Sequence, residues 1–303
     1  MAEETSVRIV YIGVSMTKLI ACDLDGTLLQ SNKQISERTL HILHEIVNRG
    51  HEFVIATGRS FNDVQVVLQQ FPASIQPSLV LNSGAEYRGR NTHIVHPIPR
   101  DALYHLLKIT QKYHLVESIQ SVKGKYIIGD KDQYYRESYQ LIKEKNGFTD
   151  HEMKQVDFIQ PENYLRHLQA VESLDGFMAQ HVDVMKVDAR ALEEQAAQQA
   201  AKEISAHPDL MISSSYYSFL EVTSSQHTKA TMLLELIKKR QIDPEDVIVF
   251  GDSDNDYDML RTFNQSYAMG NSDERIKAAA RYEALSNDAD GVAVVLEQLF
   301  PAD

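Results

Sequence analysis

Cys22 is the single cysteine among 303 residues, so no disulfide can form within the chain. A chain without disulfides suits a reducing compartment, and a cytoplasmic setting is expected. Long apolar runs are missing too; none approaches the ~18 residues of a membrane span. The N-terminus opens with Glu3 and Glu4 and offers only Ile9-Val10-Tyr11-Ile12. That is neither the basic start nor the full apolar core of a secretory leader, and residues 1–15 read as an extension ahead of Met16. Basic residues are in deficit: 30 Lys and Arg stand against 43 Asp and Glu, a formal net charge of -13. Nucleic acid and anionic membranes both need a basic face, so neither is expected as a partner. The same excess of carboxylates suits a protein that holds a divalent cation. No repeat or low-complexity segment is present.

With 43% hydrophobic and 24% charged residues, the composition is that of a soluble globular protein, long enough for one large domain or two ordinary ones. Lys18-Leu19-Ile20-Ala21-Cys22 is apolar without alternation, as in a strand buried on both faces of a parallel sheet. Ser36 caps a helix carrying Leu40, Leu43, Ile46 and Val47, which ends at Gly50. A second buried strand, Glu52 to Ala56, precedes helix 60–70 and a third strand, Ser78 to Leu81. This β-α-β-α-β series predicts a doubly wound α/β sheet.

After Gly84 the pattern changes to short strands at 86–97, a helix from Asp101, and an antiparallel pair at Ser118–Val122 and Lys125–Ile128. A half-exposed strand at 182–187, an Ala/Gln/Glu-rich helix at 190–205 and a strand from Tyr216 to Val222 follow. These predict an inserted α+β domain. Helix 228–240 and the strand Val247–Phe250 then resume the first pattern, with helices near 256–263, 273–281 and 290–299 after them. The expected division is a core of 16–86 and 222–303 with an insert of 87–221.

Polar clusters close three of the core strands: Asp23 and Asp25; Thr57 and Gly58; and Asp252, Asn255 and Asp256. Ligands of open parallel sheets bind beyond the carboxyl ends of the strands, where the winding reverses. With the first strand central, flanked by the second and by Val247–Phe250, the three clusters converge. So much negative charge requires a cation, and carboxylate oxygens with water and phosphate suit Mg2+. Lys229, at the start of a helix, supplies a positive charge for a phosphoryl group, as does the helix N-terminus. These residue types assemble a phosphoryl-transfer site.

Asp23-Leu24-Asp25-Gly26-Thr27-Leu28, Ala56-Thr57-Gly58-Arg59, Lys229 and Gly251-Asp252-Ser253-Asp254-Asn255-Asp256 resemble the four motifs of the haloacid dehalogenase superfamily. The insert resembles the α/β cap of its Cof-type hydrolases. The likeness runs from about Lys18 to the C-terminus, including Met269-Gly270-Asn271 and Asn287 to Ala293. It implies a Rossmann-like core with a cap domain, and a phosphatase acting on small phosphorylated metabolites such as sugar phosphates. By the same resemblance Asp23 is the nucleophile that becomes an aspartyl-phosphate, and Asp25 is the acid and base. Mg2+ is held by Asp23, the Asp25 carbonyl and Asp252, with Asp256 acting nearby. Leu24 (through its backbone), Thr57, Gly58, Lys229 and Asn255 contact phosphate. A monomer or weak homodimer is expected. One departure is Asn82-Ser83-Gly84-Ala85, where the family usually has Asn-Gly-Ala; Ser83 replaces the Asn.

Two rivals accompany this reading: a phosphomutase of the same superfamily, and a catalytically silent binding or regulatory module. The silent module has no chemical need for both aspartates. A calcium loop at 252–263 is rejected, because Tyr257 and Phe263 stand where a glycine and a glutamate are needed. Lys186 and Arg190 read as surface or packing residues and Cys22 as a small buried hydrophobe. The pairs His41/His44 and His93/His96, without an acidic partner in view, read as surface histidines.

Overall fold

Parallel strands buried on both faces form the centre of the computed structural model, which describes residues 17–301 apart from 60, 82–84, 89–90, 122 and 217. The N-terminal extension and Ser83 lie outside the described residues. In chain order the strands are β1 (Leu19–Cys22), β2 (Glu52–Thr57), β3 (Ser78–Leu81), β4 (Ala85–Arg88), β5 (Asn91–Val95), β6 (Val116–Ser121) and β7 (Gly124–Ile128). They continue with β8 (Leu168–Val171), β9 (Val184–Arg190), β10 (Leu210–Tyr216), β11 (Phe219–Ser224), β12 (Val247–Gly251), β13 (Gln265–Ala268) and β14 (Tyr282–Glu283).

Eight strands make the first sheet in the order β14-β13-β12-β1-β2-β3-β4-β5. It is parallel from β14 to β3, with β1 between β12 and β2 as expected. The unbroken apolar character of β1 follows from its two covered faces. Ile20 and Cys22 pack with Leu43 and Ile46 of helix Glu37–Asn48 and Leu296 of helix Gly291–Leu299. Leu19 and Ala21 pack with Leu233 and Leu236 of helix Lys229–Arg240 and Leu260 of helix Tyr257–Thr262.

The second sheet has six strands in the order β10-β11-β9-β6-β7-β8, antiparallel except for β7 and β8. Helices Arg100–Lys112 and Glu194–Ile204 cover one face through Leu103, Leu106, Ala197 and Ile204. On the other face Tyr134 and Leu141 of helix Lys131–Asn146 pack on Val116, Ile127 and Leu168. Among the described residues no helix is long and apolar enough to cross a membrane.

Three details differ from the sequence expectations. The hairpin of β4 and β5 joins the first sheet, antiparallel to β3, because the short connection after β3 keeps the chain at that edge. The strand expected over Tyr216–Val222 is the end of a hairpin in which Tyr216 pairs with Phe219. Its Ser-Tyr-Tyr-Ser-Phe run lacks the Gly, Asn or Asp that marks most tight turns. Of the helix expected over 273–281, only Glu274–Lys277 is regular, capped by the Asp273 carboxylate.

Candidate active site

β1 ends where the Asp23 amide donates to Phe250 O of β12 at 3.0 Å, so the two carboxylate clusters meet at adjacent strand tips. The turn beyond Asp25 is tight. The Leu24 carbonyl accepts from the Leu29 amide at 2.8 Å, and Gly26 takes a φ of +82°. A Cβ on Gly26 would lie 2.8 Å from Asp252 Cγ, so only glycine lets the loop approach that carboxylate. Thr27 Oγ1 donates to Asp252 Oδ1 at 2.9 Å and ties the loop to it. From the late segments, Asn271 Nδ2 donates to Gly26 O at 2.9 Å and Asn287 Nδ2 to Leu29 O at 2.8 Å.

Lys229 is the hub. It is the first residue of its helix, whose N-cap Thr228 exchanges hydrogen bonds with Thr231 in a capping box. Its side chain is completely buried, and Nζ donates to Asp23 Oδ1 at 2.6 Å, Asp256 Oδ1 at 2.7 Å and Asn255 Oδ1 at 2.9 Å. Asp256 Oδ2 accepts from the amides of Asp252 and Ser253 at 2.9 and 3.1 Å. Both Asp256 oxygens are thus engaged in positioning Lys229 and the Asp252 loop.

Asp23, Asp252 and Asp256 each place a carboxylate oxygen within 4.8 Å of the others. Burial pushes Asp23 well above the usual carboxylate range; the Lys229 ammonium opposes this, while Asp256 and Asp252 add to it. Burial and then the Asp256 charge push Asp252 up to about 6. Lys229 itself is raised: burial works against its charge, but Asp23 and Asp256 outweigh that. When all three are ionised, the carboxylates exceed the one ammonium by two negative charges, which is the charge of one divalent cation. The donor set is all oxygen, which fits Mg2+; Asp23 and Asp252 would hold it, with Asp256 behind them.

Asp25 sits apart from this cluster. Arg59 grips it at two points, Nε to Oδ2 at 2.6 Å and Nη2 to Oδ1 at 2.8 Å, and Lys33 Nζ adds 2.9 Å to Oδ1. Burial acts to raise this carboxyl, but the hydrogen bonds from Arg59 and Lys33 hold it at about 2. Sequence reasoning quoted Arg59 without giving it a role and had no signal for Lys33.

At the tip of β2, Thr57 is buried and its Oγ1 accepts from the Arg59 amide at 3.1 Å, leaving its hydroxyl proton for another acceptor. A Cβ on Gly58 would lie 3.2 Å from Asn255 Nδ2 and 3.3 Å from Glu221 Oε1, so backbone is drawn close to both. Lys186, expected as a surface or packing residue, is only 8% exposed. It reaches from β9 to Gly58 O at 3.2 Å, with Glu221 Oε2 at 3.1 Å and Asp188 Oδ1 at 3.3 Å. The second sheet therefore meets the first at the strand end that carries Thr57 and Gly58. Arg190 lies against the Phe219 ring at 5.0 Å, a packing role.

Known proteins share this arrangement of sequence and fold. The chain is 29% identical over 304 residues to phosphatase YwpJ of Bacillus subtilis, covering 93% of this chain and 99% of that one. It is 26% identical over 294 residues to the 5-amino-6-(5-phospho-D-ribitylamino)uracil phosphatase YitU of the same organism, covering 93% and 97%. A solved haloacid dehalogenase-like hydrolase from B. subtilis superposes with a TM-score of 0.76 at 24% identity, over 94% of this chain and all of that one. The family model for haloacid dehalogenase-like hydrolases matches residues 20–296, and the chain belongs to that family.

Proposed function

We propose that the protein is a Mg2+-dependent phosphatase of small phosphorylated metabolites that works through an aspartyl-phosphate on Asp23. The observation that carries this reading is the buried Lys229 bridging Asp23, Asp256 and Asn255 at the tips of β1 and β12. Relatives of this chain bear phosphatase names, and one acts on a phosphorylated ribitylamino compound.

When bound, Mg2+ screens the carboxylates from the incoming phosphate and draws charge from its oxygens. The chain's own residues do the rest. An Asp23 oxygen attacks phosphorus as the bond to the leaving oxygen breaks, and Asp25 gives that oxygen a proton. A water then attacks the phosphorus of the acyl phosphate. Asp25 takes its proton, and Asp23 is released as a carboxylate with inorganic phosphate. Thr57, the Gly58 and Leu24 amides, Lys229 and Asn255 hold the phosphoryl oxygens. Asp25 begins on Arg59 and Lys33, so substrate entry has to draw it off them. Gln120, Lys186, Asp188 and Glu221 give the opposite sheet a polar surface, which suits a hydroxylated leaving group of the sugar or polyol kind.

Turnover of an aryl phosphate is assayed with Mg2+ and with EDTA, for the native protein and Asp23→Asn. Mg2+-dependent turnover that disappears in the variant supports the proposal; undiminished turnover in Asp23→Asn rules out the nucleophile. A requirement for a bisphosphate activator would favour the mutase instead. Ranking phosphorylated metabolites by kcat/KM then identifies the substrate.

A further inference from the structure

Two linkers join the sheets: residues 96–99, after β5, and residues 225–228, after β11. Each contributes a histidine to one cluster. His96 and His227 stack with ring centroids 4.0 Å apart and planes 7° from parallel. His96 Nε2 lies 3.1 Å from Glu235 Oε2, on the second turn of helix Lys229–Arg240. His227 Nδ1 is buried and has no hydrogen-bond partner among the described residues. One ligating atom from each of the three side chains lies within 4.8 Å of the others, and all three are half-buried.

We propose that His96, His227 and Glu235 form a second metal site, for a late first-row divalent cation such as Zn2+. Two imidazoles and one carboxylate with a position open to water are a zinc donor set, whereas Mg2+ and Ca2+ prefer oxygen alone. Imidazole lone pairs lie in the ring plane, so two parallel rings cannot aim at one ion. Binding requires one ring to turn about its Cβ–Cγ bond, and the His96 side chain is 32% exposed. A bound ion would join the first linker to the second. His227 is two residues from Lys229, so the ion would also restrain the start of the helix that carries it.

The test is a calorimetric titration with ZnCl2 in saturating Mg2+, which occupies the Asp23–Asp252 cluster. The native protein and Asp252→Asn are expected to bind one Zn2+ each. Loss of a residue that merely supports a ligand costs ~10–100-fold in metal affinity, so His96→Ala and His227→Ala should each weaken binding at least that much. Co2+ in place of Zn2+ should give ligand-field bands in the visible that both histidine variants lack. Zn2+ binding that vanishes in Asp252→Asn, or that persists unchanged in both histidine variants, overturns the proposal. None of these readouts depends on turnover, so the site stands or falls apart from the proposed reaction.

Discussion

Asp256 accepts a 2.7 Å hydrogen bond from Lys229 with both side chains fully buried, and Asp23 shares the same ammonium at 2.6 Å. Removing one partner of a buried ion pair costs ~3–5 kcal/mol, because the other charge is left unpaired. Lys229→Met should therefore lose activity and unfold at markedly lower urea. Asp23, already raised by burial, loses the ammonium that opposes that rise, so its folded-state range would stand further above the unfolded one. Stability of the variant should then fall as pH rises through that range. Urea midpoints across pH check this; a pH-independent loss would mean that Lys229 acts through packing alone.

Arg59 governs Asp25 in the same spirit. With its carboxyl at about 2, Asp25 is ionised at any ordinary pH, the state for a base and the wrong one for an acid. A neighbouring Arg lowers an Asp by ~1–3 pH units, so Arg59→Met should raise Asp25 by about one unit, with Lys33 retained. Carboxyl 13C NMR titration reads this directly. An unmoved Asp25 resonance would show that Lys33 alone sets its state.

How much of this was legible follows from the range of each interaction. Asp23 and Asp252 could be placed because β1 and β12 are unbroken apolar runs, and a strand that ends in carboxylates declares its tip. Lys229 was legible from its place at the start of the expected helix 228–240. Arg59, in contrast, meets Asp25 34 positions away, and His96 meets Glu235 139 positions away. No periodicity encodes such pairings. Lys186 reads only as a surface or packing residue for a related reason: an alternating strand shows which residues share a face, and what that face meets depends on how two sheets are joined. The turn before Phe219 was invisible because it lacks the Gly, Asn or Asp of most tight turns.

Lys186 is a positioning residue in this arrangement, since it holds Gly58 O while neutralising Glu221 and Asp188. In Lys186→Met those two carboxylates would repel an incoming phosphate. KM is expected to rise about tenfold, equivalent to ~1.4 kcal/mol, with kcat nearly kept and product phosphate inhibiting less. Adding Glu221→Gln removes one of the repelling charges and should recover part of the loss, a coupling that a double-mutant cycle measures. A fall in kcat with KM unchanged would instead tie Lys186 to the chemical step.

Glu117, on β6, offers a test independent of the active site. It is 8% exposed, and its Oε2 is buried without a hydrogen-bond partner among the described residues. Burial raises it from 4.5 to about 7, against a smaller opposing effect of a hydrogen bond with Thr110. Between those values the folded protein keeps a proton that the unfolded chain releases, so stability falls as pH rises through this window and levels off above it. The difference corresponds to about 3 kcal/mol at most. Glu117→Gln preserves the shape and removes the charge. Its urea midpoint should exceed that of the native protein at pH ~8 and nearly match it at pH ~5, the two sides of the raised value. A gap of equal size at both pH values would show that folding does not raise the Glu117 carboxyl.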